Sequence, residues 1–342
     1  MEFTSPHQYF TLDVVQRGLL KEHPLTVIDV GCSGGIAPVW RLYEPHLQAI
    51  GVDPVVNECA RLTAQEKNPK VRYLPAFVGL PENHPFNCDR KGRQPTERNP
   101  WGRLSAAAAT DILSQRVQQE TKLPVLNTWQ TEKLAAVKKY TLEELAVAQN
   151  FPNVDFIKID IDGNDLEALF SAERLIRESP VLGLVMEVNY YGSNLPTEHT
   201  FHNTDRLMRS WGFDLFGLTT RKYSAAALPN RFVWDCPAQT ISGRPYQGDA
   251  LYLRDAIGLA EQDNAILLSP SKLLKLACLF ENFCLPDFAA ELLQRHATAL
   301  GLHLPASLEL LARSVRNDGI NYAEHLRRFQ ADPTKFYLNG SM

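Results

Sequence analysis

Residues 26–35 read TVIDVGCSGG, and the rest of the chain is arranged around this stretch. Val27, Ile28 and Val30 form a short β-branched run, the composition of a strand buried in a parallel sheet. At Gly31 the run becomes a turn, with Gly34 and Gly35 close behind. A strand that ends in glycines and feeds a helix brings bare backbone N–H groups close to a ligand. Asp29 adds a carboxylate beside the turn. That charge repels a phosphate and welcomes a cationic or hydroxylated ligand.

Working outward, the spacing of Phe10, Val14, Val15, Leu19 and Leu20 predicts a helix before this strand. A helix over 37–44 and a second strand, LQAIGV over 47–52, follow it. That strand closes on Asp53-Pro54, and proline cannot continue a ladder, so Asp53 belongs at the carboxyl edge of the sheet. A helix over 55–67 and a third strand over 71–78 complete a β-α-β-α-β order, which implies a parallel sheet with right-handed crossovers. The alternation then breaks at an insertion over about 81–137, with a helical segment over 105–120 and a strand near Leu123. An insertion of this size points to a lid or an acceptor-pocket element. Thr141-Leu-Glu-Glu144 has the pattern of a capping box. Later strands are expected over 154–161, 181–188, 213–218 and 249–254, with helices over 165–177 and 205–211 between them. Beyond a boundary near residue 258 the pattern turns helical, with a hairpin of amphipathic helices over 273–283 and 288–299.

The chain of 342 residues is 44% hydrophobic and 22% charged, ordinary for a globular protein. Its formal net charge of −4 gives no footprint for nucleic acid, and the basic residues between Arg90 and Arg103 read as a solvated loop. No apolar run approaches membrane-spanning length, and MEFTSPHQYF lacks the basic-then-apolar pattern of a secretion signal, so a cytoplasmic location is expected. Six cysteines without a CxxC pair argue for free thiols over zinc or disulfides.

Ligands of an open α/β sheet bind outside the carboxyl ends of its strands. Those ends carry Asp29 with the Gly31 turn, Asp53, Asp160 with Asp162, and Glu187 with Asn189. Asp53 lies 22 residues after Gly31, the spacing at which a carboxylate accepts both hydroxyls of a ribose. NAD and S-adenosylmethionine both carry such a ribose. The turn G-C-S-G-G departs from the dinucleotide fingerprint G-x-G-x-x-G, and Asp29 lies where a pyrophosphate would approach. S-adenosylmethionine carries a sulfonium and an ammonium instead, for which a carboxylate is an asset.

With VIDVGCSGG at 27–35, IGVDP at 50–54, DFIKIDIDGNDLEAL at 155–169, VMEV at 185–188 and GDALYLR at 248–254, the chain resembles the FkbM family of class I S-adenosylmethionine-dependent methyltransferases. Asp162 stands where that family usually has glutamate, and Asn164-Asp165 replaces its usual alanine-glutamate. The resemblance covers roughly residues 25–255 apart from the insertion and implies a doubly wound, mostly parallel, seven-stranded sheet; with the boundary near residue 258, the expected organisation is a methyltransferase domain over 1–258 and a helical extension over 259–342. It also implies that Asp29, Gly31, Cys32, Ser33 and Gly34 hold the methionine part of S-adenosylmethionine, that Asp53 takes its ribose, and that Phe77 and Val78 flank its adenine. The activity it implies is O-methylation of a hydroxyl on a saccharide, glycolipid or secondary metabolite. The alternatives are a nicotinamide-dependent oxidoreductase, or a silent binding module on the same fold.

Asp160 is expected to face the cofactor and Asp162 to cap the helix that follows. Asp160, Glu187 and Asn189 together offer oxygens suited to magnesium, which in some methyltransferases acidifies a hydroxyl. His199, and less so His202, stand in the loop after the fifth strand, where a base would meet an acceptor. Catalytic roles are therefore expected for Asp160, Glu187 and His199. Tyr190 and Tyr191 could stack on a sugar, and Trp101 and Trp129 could line a lid. The expected partner is a small-molecule or saccharide acceptor, with a second copy of the chain docking through the C-terminal helices.

Overall fold

The first strand, β1 (Leu25–Val30), is buried along its whole length, as a strand covered on both faces of a sheet must be. The computed structural model describes residues 3–90, 137–151, 153–161, 164–192, 195–223, 243–257, 268–315 and 320–333. In it β1 lies between β2 (Leu47–Asp53) and β6 (Phe156–Ile159), parallel to both. With β3 (Val71–Pro75), β7 (Gly183–Asn189), β8 (Asp214–Leu218) and β10 (Arg244–Leu253), the order across the sheet is β3-β2-β1-β6-β7-β10-β8. β10 runs antiparallel to both its neighbours, while β3, β2, β1, β6 and β7 pair in parallel. This is the expected doubly wound, mostly parallel sheet, and β9 (Arg221–Tyr223) adds an eighth strand by pairing with β10. Chain order reverses between β1 and β6, which puts the ligand crevice at their carboxyl ends.

The third strand is shorter than the expected 71–78. After Ala76 the chain leaves the main sheet, and β4 (Phe77–Val78) pairs with β5 (Lys139–Tyr140) in a separate two-stranded ribbon. The helix expected over 37–44 is a 3-10 segment, Pro38–Tyr43. The helices of this part of the chain are α1 (Tyr9–Gln16), α2 (Val56–Gln65), α3 (Pro85–Arg90) and α4 (Leu142–Ala148). The capping box of α4 is present: Thr141 Oγ1 accepts from the Glu144 amide at 3.0 Å and Glu144 Oε2 accepts from the Thr141 amide at 2.9 Å. The helix expected over 165–177 is two short ones, α5 (Asp165–Phe170) and α6 (Glu173–Glu178), followed after β7 by α7 (Phe201–Ser210). Trp101, Trp129, Asp162, the 105–120 helix and the strand near Leu123 lie outside the described residues.

Alternate residues of each strand face opposite sides of the sheet. Ile28, Val30, Ile50, Ile157, Ile159, Met186 and Val188 build one apolar cluster. Val27, Leu47, Ala49, Phe156 and Val185 build the other, and α8 (Pro270–Asn282) and α9 (Pro286–His296) join it through Leu276, Leu279, Phe280, Leu292 and Leu293. Two more helices, α10 (Leu304–Val315) and α11 (Tyr322–Ala331), follow, and Leu311 of α10 belongs to the same cluster. Helices α8, α9 and α10 therefore share a core with the sheet.

Charge reinforces that packing. Asp155, fully buried ahead of β6, receives Lys272 Nζ at 2.6 Å and Lys275 Nζ at 2.8 Å from α8, and the Thr26 amide at 2.8 Å from β1. Arg254 is buried, has no carboxylate partner among the described residues, and donates to the carbonyls of Val181, Ile176, Trp211 and Gly212. Burial pulls its pKa down to about 10.

Candidate functional site

The turn after β1 is built so that only glycine fits at its head. Gly31 has φ +81°, and a Cβ there would lie 1.7 Å from the carbonyl oxygen of Asp160. The Gly31 and Cys32 amides both donate to the Val52 carbonyl, at 2.8 and 3.2 Å, which ties the turn to the end of β2. Gly34 and Gly35 also have positive φ, +83° and +102°. Cys32 is buried and burial pushes its thiol pKa up, so it is a packing residue and not a nucleophile. Ser33 and Gly34 are exposed at the tip. There the Gly34 amide donates to Glu58 Oε1 of α2 at 3.0 Å. The Arg61 side chain and this amide hold the Glu58 carboxyl below its usual pKa.

Asp29, near the end of β1, is 1% exposed. Neighbouring Lys158 faces it across the β1–β6 ladder, with Nζ 3.2 Å from Asp29 Oδ1, 3.5 Å from Asp160 Oδ2 and 3.2 Å from the Gly31 carbonyl. Burial alone would lower the lysine pKa, but Asp29 and Asp160 outweigh it and raise it. Burial raises the Asp29 pKa, against the pull of Lys158 and the Ala37 amide. Despite the ion-pair contact, Asp29 Oδ1 has no hydrogen-bond partner among the described residues. Asp160 is half exposed, its side chain 46% accessible at the end of β6.

At the end of β2, Asp53 is 7% exposed, and its Oδ1 accepts from the Val55 amide at 2.8 Å. Burial pushes its pKa up. Phe77 is partly exposed beside this edge, whereas the Val78 side chain is buried in the second apolar cluster. Only the Phe77 ring is therefore presented on the surface where an adenine was expected.

At the end of β7, Glu187 Oε2 accepts from Gln247 Nε2 at 2.8 Å. Arg221 of β9 stands between Glu187 and Asp249, at 3.7 and 3.6 Å. His199 turns inward, with Nε2 2.8 Å from the Glu187 carbonyl and Nδ1 3.5 Å from Asp165 Oδ2 and 3.4 Å from Asn189 Nδ2. Asp165 Oδ1 accepts from the Ile161 amide at 2.9 Å and so ties down the loop after β6. Both nitrogens of His199 thus face structural partners, while His202 Nε2 approaches Thr200 Oγ1 at 3.4 Å. The Tyr191 and Tyr246 rings pack at 4.6 Å with their hydroxyls 3.2 Å apart, and Tyr190 donates to the Thr219 carbonyl.

The magnesium expectation finds no support in this arrangement. Glu187 is engaged by Gln247 and Arg221, and the Asn189 amide is turned on His199, so with Asp160 they do not form a shared set of open oxygens. Among the described residues no group of three or more His, Cys, Asp or Glu side chains could hold a metal ion. Nor is any helix among them long and apolar enough to cross a membrane. Lys158, Glu58 and Arg221 were not singled out from sequence. A signal for Lys158 was present, because residues two apart on a strand share a face and Lys158 stands two before Asp160.

Residues 58–215 match the family model described as the methyltransferase FkbM domain. Over this span the chain is similar to that family. The matched span includes Glu58, Lys158, Asp160, Glu187 and His199, and β1 with its turn precedes it. No curated protein matches the chain in sequence. Similar solved structures include magnesium protoporphyrin IX methyltransferase of Synechocystis PCC 6803 with bound S-adenosylmethionine, at 11% identity over 71% of this chain and 78% of that one, TM-score 0.30. Others are a methyltransferase of Listeria monocytogenes, described as S-adenosylmethionine-dependent (10%; 72% and 98%; TM-score 0.34), and precorrin-6y C5,15-methyltransferase of Geobacter metallireducens GS-15 (11%; 71% and 87%; TM-score 0.32). The fold rests on the strand order given above, independently of these likenesses.

Proposed function

We propose that the protein is an S-adenosylmethionine-dependent methyltransferase acting on a hydroxyl oxygen of a saccharide, glycolipid or secondary metabolite. The observation that carries the donor assignment is Asp29, a buried carboxylate at the end of β1, with Lys158 Nζ 3.2 Å from its Oδ1 and the glycine turn directly after it. A carboxylate beside the turn favours a cationic ligand over a phosphate. Glu58 separates this reading from a dinucleotide site. Its carboxylate already takes the Gly34 amide, so the turn presents negative charge where a pyrophosphate needs N–H donors. Asp53, with one oxygen on Val55, has the other to offer a ribose.

S-adenosylmethionine supplies a methyl group on a sulfonium, which an oxygen nucleophile displaces in line. The acceptor oxygen–carbon bond forms as the carbon–sulfur bond breaks, and the acceptor's proton must leave. Asp160 is the residue proposed to take it, because its carboxylate is half exposed at the reversal point of the sheet, with Lys158 behind it. The remaining work is positioning, for which Tyr191 and Tyr246 offer a paired aromatic surface at the edge of β7 and β10. The test is transfer of a labelled methyl group from S-adenosylmethionine to a panel of hydroxylated saccharides and to cell extract. Transfer to an oxygen that falls about 10²–10⁴-fold in Asp160→Asn is expected. Transfer to nitrogen or carbon alone would refute the acceptor class. A requirement for NAD would refute the donor.

A further inference from the structure

We propose that His199 is a positioning residue. Through the buried carboxylate of Asp165 it braces the backbone that carries Asp160 against the end of β7, and a proton on its Nδ1 tightens that brace. The role rests on the methyltransferase reading above, because Asp160 is the group it serves.

The ladder of β6 stops short of Asp160. The strand ends at Ile159, opposite Met186 of β7, and the Asp160 amide still donates to the Val30 carbonyl of β1 at 3.0 Å. The next amide, that of Ile161, donates instead to Asp165 Oδ1 at 2.9 Å. The other oxygen of that carboxylate faces His199 Nδ1 at 3.5 Å, and His199 Nε2 lies 2.8 Å from the Glu187 carbonyl. A continuous path therefore runs from β7 through an imidazole and a carboxylate to the peptide that follows Asp160. Both side chains are buried, His199 at 7% and Asp165 at 0% exposed, so water does not compete for these bonds.

The hydrogens on the ring follow from its partners. A carbonyl oxygen accepts, so Nε2 carries a hydrogen. Nδ1 then stands between two groups of opposite kind, the donor Asn189 Nδ2 at 3.4 Å and the acceptor Asp165 Oδ2 at 3.5 Å. A neutral ring has a bare Nδ1 and takes the Asn189 hydrogen; a charged ring donates from Nδ1 to Asp165. The charged form ties Asp165 to β7. Asn189 Nδ2 also reaches the His199 carbonyl at 3.3 Å, so it keeps an acceptor when the ring gains its proton. The other ionisable groups around the ring are engaged elsewhere or adjacent in the chain. Glu187 takes Gln247 and faces Arg221, Asp160 faces Lys158, His202 approaches Thr200, and Glu198 precedes His199.

The experiment follows the Ile161 amide and the His199 ring by NMR in the full chain without ligand, from about pH 8 to about pH 5.5. The ring nitrogen shifts are expected to show the Nε2–H tautomer at the upper end. The protection factor of the Ile161 amide, corrected for intrinsic exchange, should rise about fivefold as pH falls, and stay flat in His199→Gln and in Asp165→Asn. Glutamine keeps an N–H for the Glu187 carbonyl and asparagine an oxygen for the Ile161 amide, and protection of the β1 amides serves as the folding control. If either variant fails to fold, the wild-type profile and tautomer still decide. A flat wild-type profile, the same rise in folded His199→Gln, or an Nδ1–H tautomer overturns the proposal. Because this readout needs no methyl donor, it separates from the assigned function. A pH-dependent brace in a protein that transfers no methyl group overturns the role of Asp160 and leaves the brace. Methyl transfer that is equal in wild type and His199→Gln across the pH range overturns the positioning role and leaves the function.

Discussion

Asp155→Asn should destabilise the protein by about 3–5 kcal/mol, and the size of that loss follows from what the carboxylate faces. Asp155 is fully buried, and two ammonium groups from α8 converge on it at 2.6 and 2.8 Å. Asparagine preserves the volume and an acceptor for the Thr26 amide but leaves two buried cations facing each other without an anion. Native stabilities are about 5–15 kcal/mol, so the loss would consume a large part of the total. Lys272→Met predicts the opposite asymmetry. It removes one cation and leaves Asp155 paired one-to-one with Lys275, at a cost below about 1 kcal/mol. Urea unfolding of the three proteins gives the comparison through midpoint and slope. The pH dependence checks the same reasoning. Burial lowers the Lys272 pKa from its ordinary 10.5. Between that lowered value and 10.5 the unfolded chain binds the extra proton, so wild-type stability should rise with pH relative to Lys272→Met across this window. Equal losses in the two variants, or a loss under 1 kcal/mol in Asp155→Asn, would refute the argument.

Gly31→Ala should abolish donor binding and lower the melting temperature, because its Cβ would meet the Asp160 carbonyl at 1.7 Å and φ +81° is itself unfavourable to alanine by about 1–2 kcal/mol. A variant that melts and binds as wild type would refute the turn geometry. Glu66 also has a defined acid signature. Burial opposes its charge, yet Arg41, the Asn68 amide and Tyr73 hold its pKa at about 2, below the ordinary 4.5. The stability it contributes is present above pH 4.5 and lost as pH falls toward 2. The gap between wild type and Glu66→Gln in acid unfolding should therefore close over that interval.

Some of this structure was legible residue by residue. β1, β2, β6 and β7 show themselves as β-branched and aliphatic runs, because burial on both faces removes polar alternation. The Gly31 turn and Asp53 followed from strand ends that glycine and proline punctuate. The run Val71–Val78 concealed the change of sheet at Ala76, since the partner of Phe77–Val78 is a strand beyond the insertion. Asp29 was read as an open negative charge, but its neighbour across the ladder is Lys158, which local sequence does not reveal. The charge that discourages a phosphate at the turn is Glu58 on α2. Lys272 and Lys275 were not singled out, because helical periodicity cannot show that a buried Asp155 lies beneath them. His199 stood in the expected loop, yet its ring is committed to Glu187, Asn189 and Asp165.

Calorimetric titration of the wild-type protein with S-adenosylmethionine and, separately, with NAD is the most direct test of the central claim. Saturable one-to-one binding of S-adenosylmethionine, weakened at least tenfold by Asp53→Ala, with no heat from NAD, is the predicted result. No heat from S-adenosylmethionine at saturating concentration, or binding of NAD in its place, would contradict it.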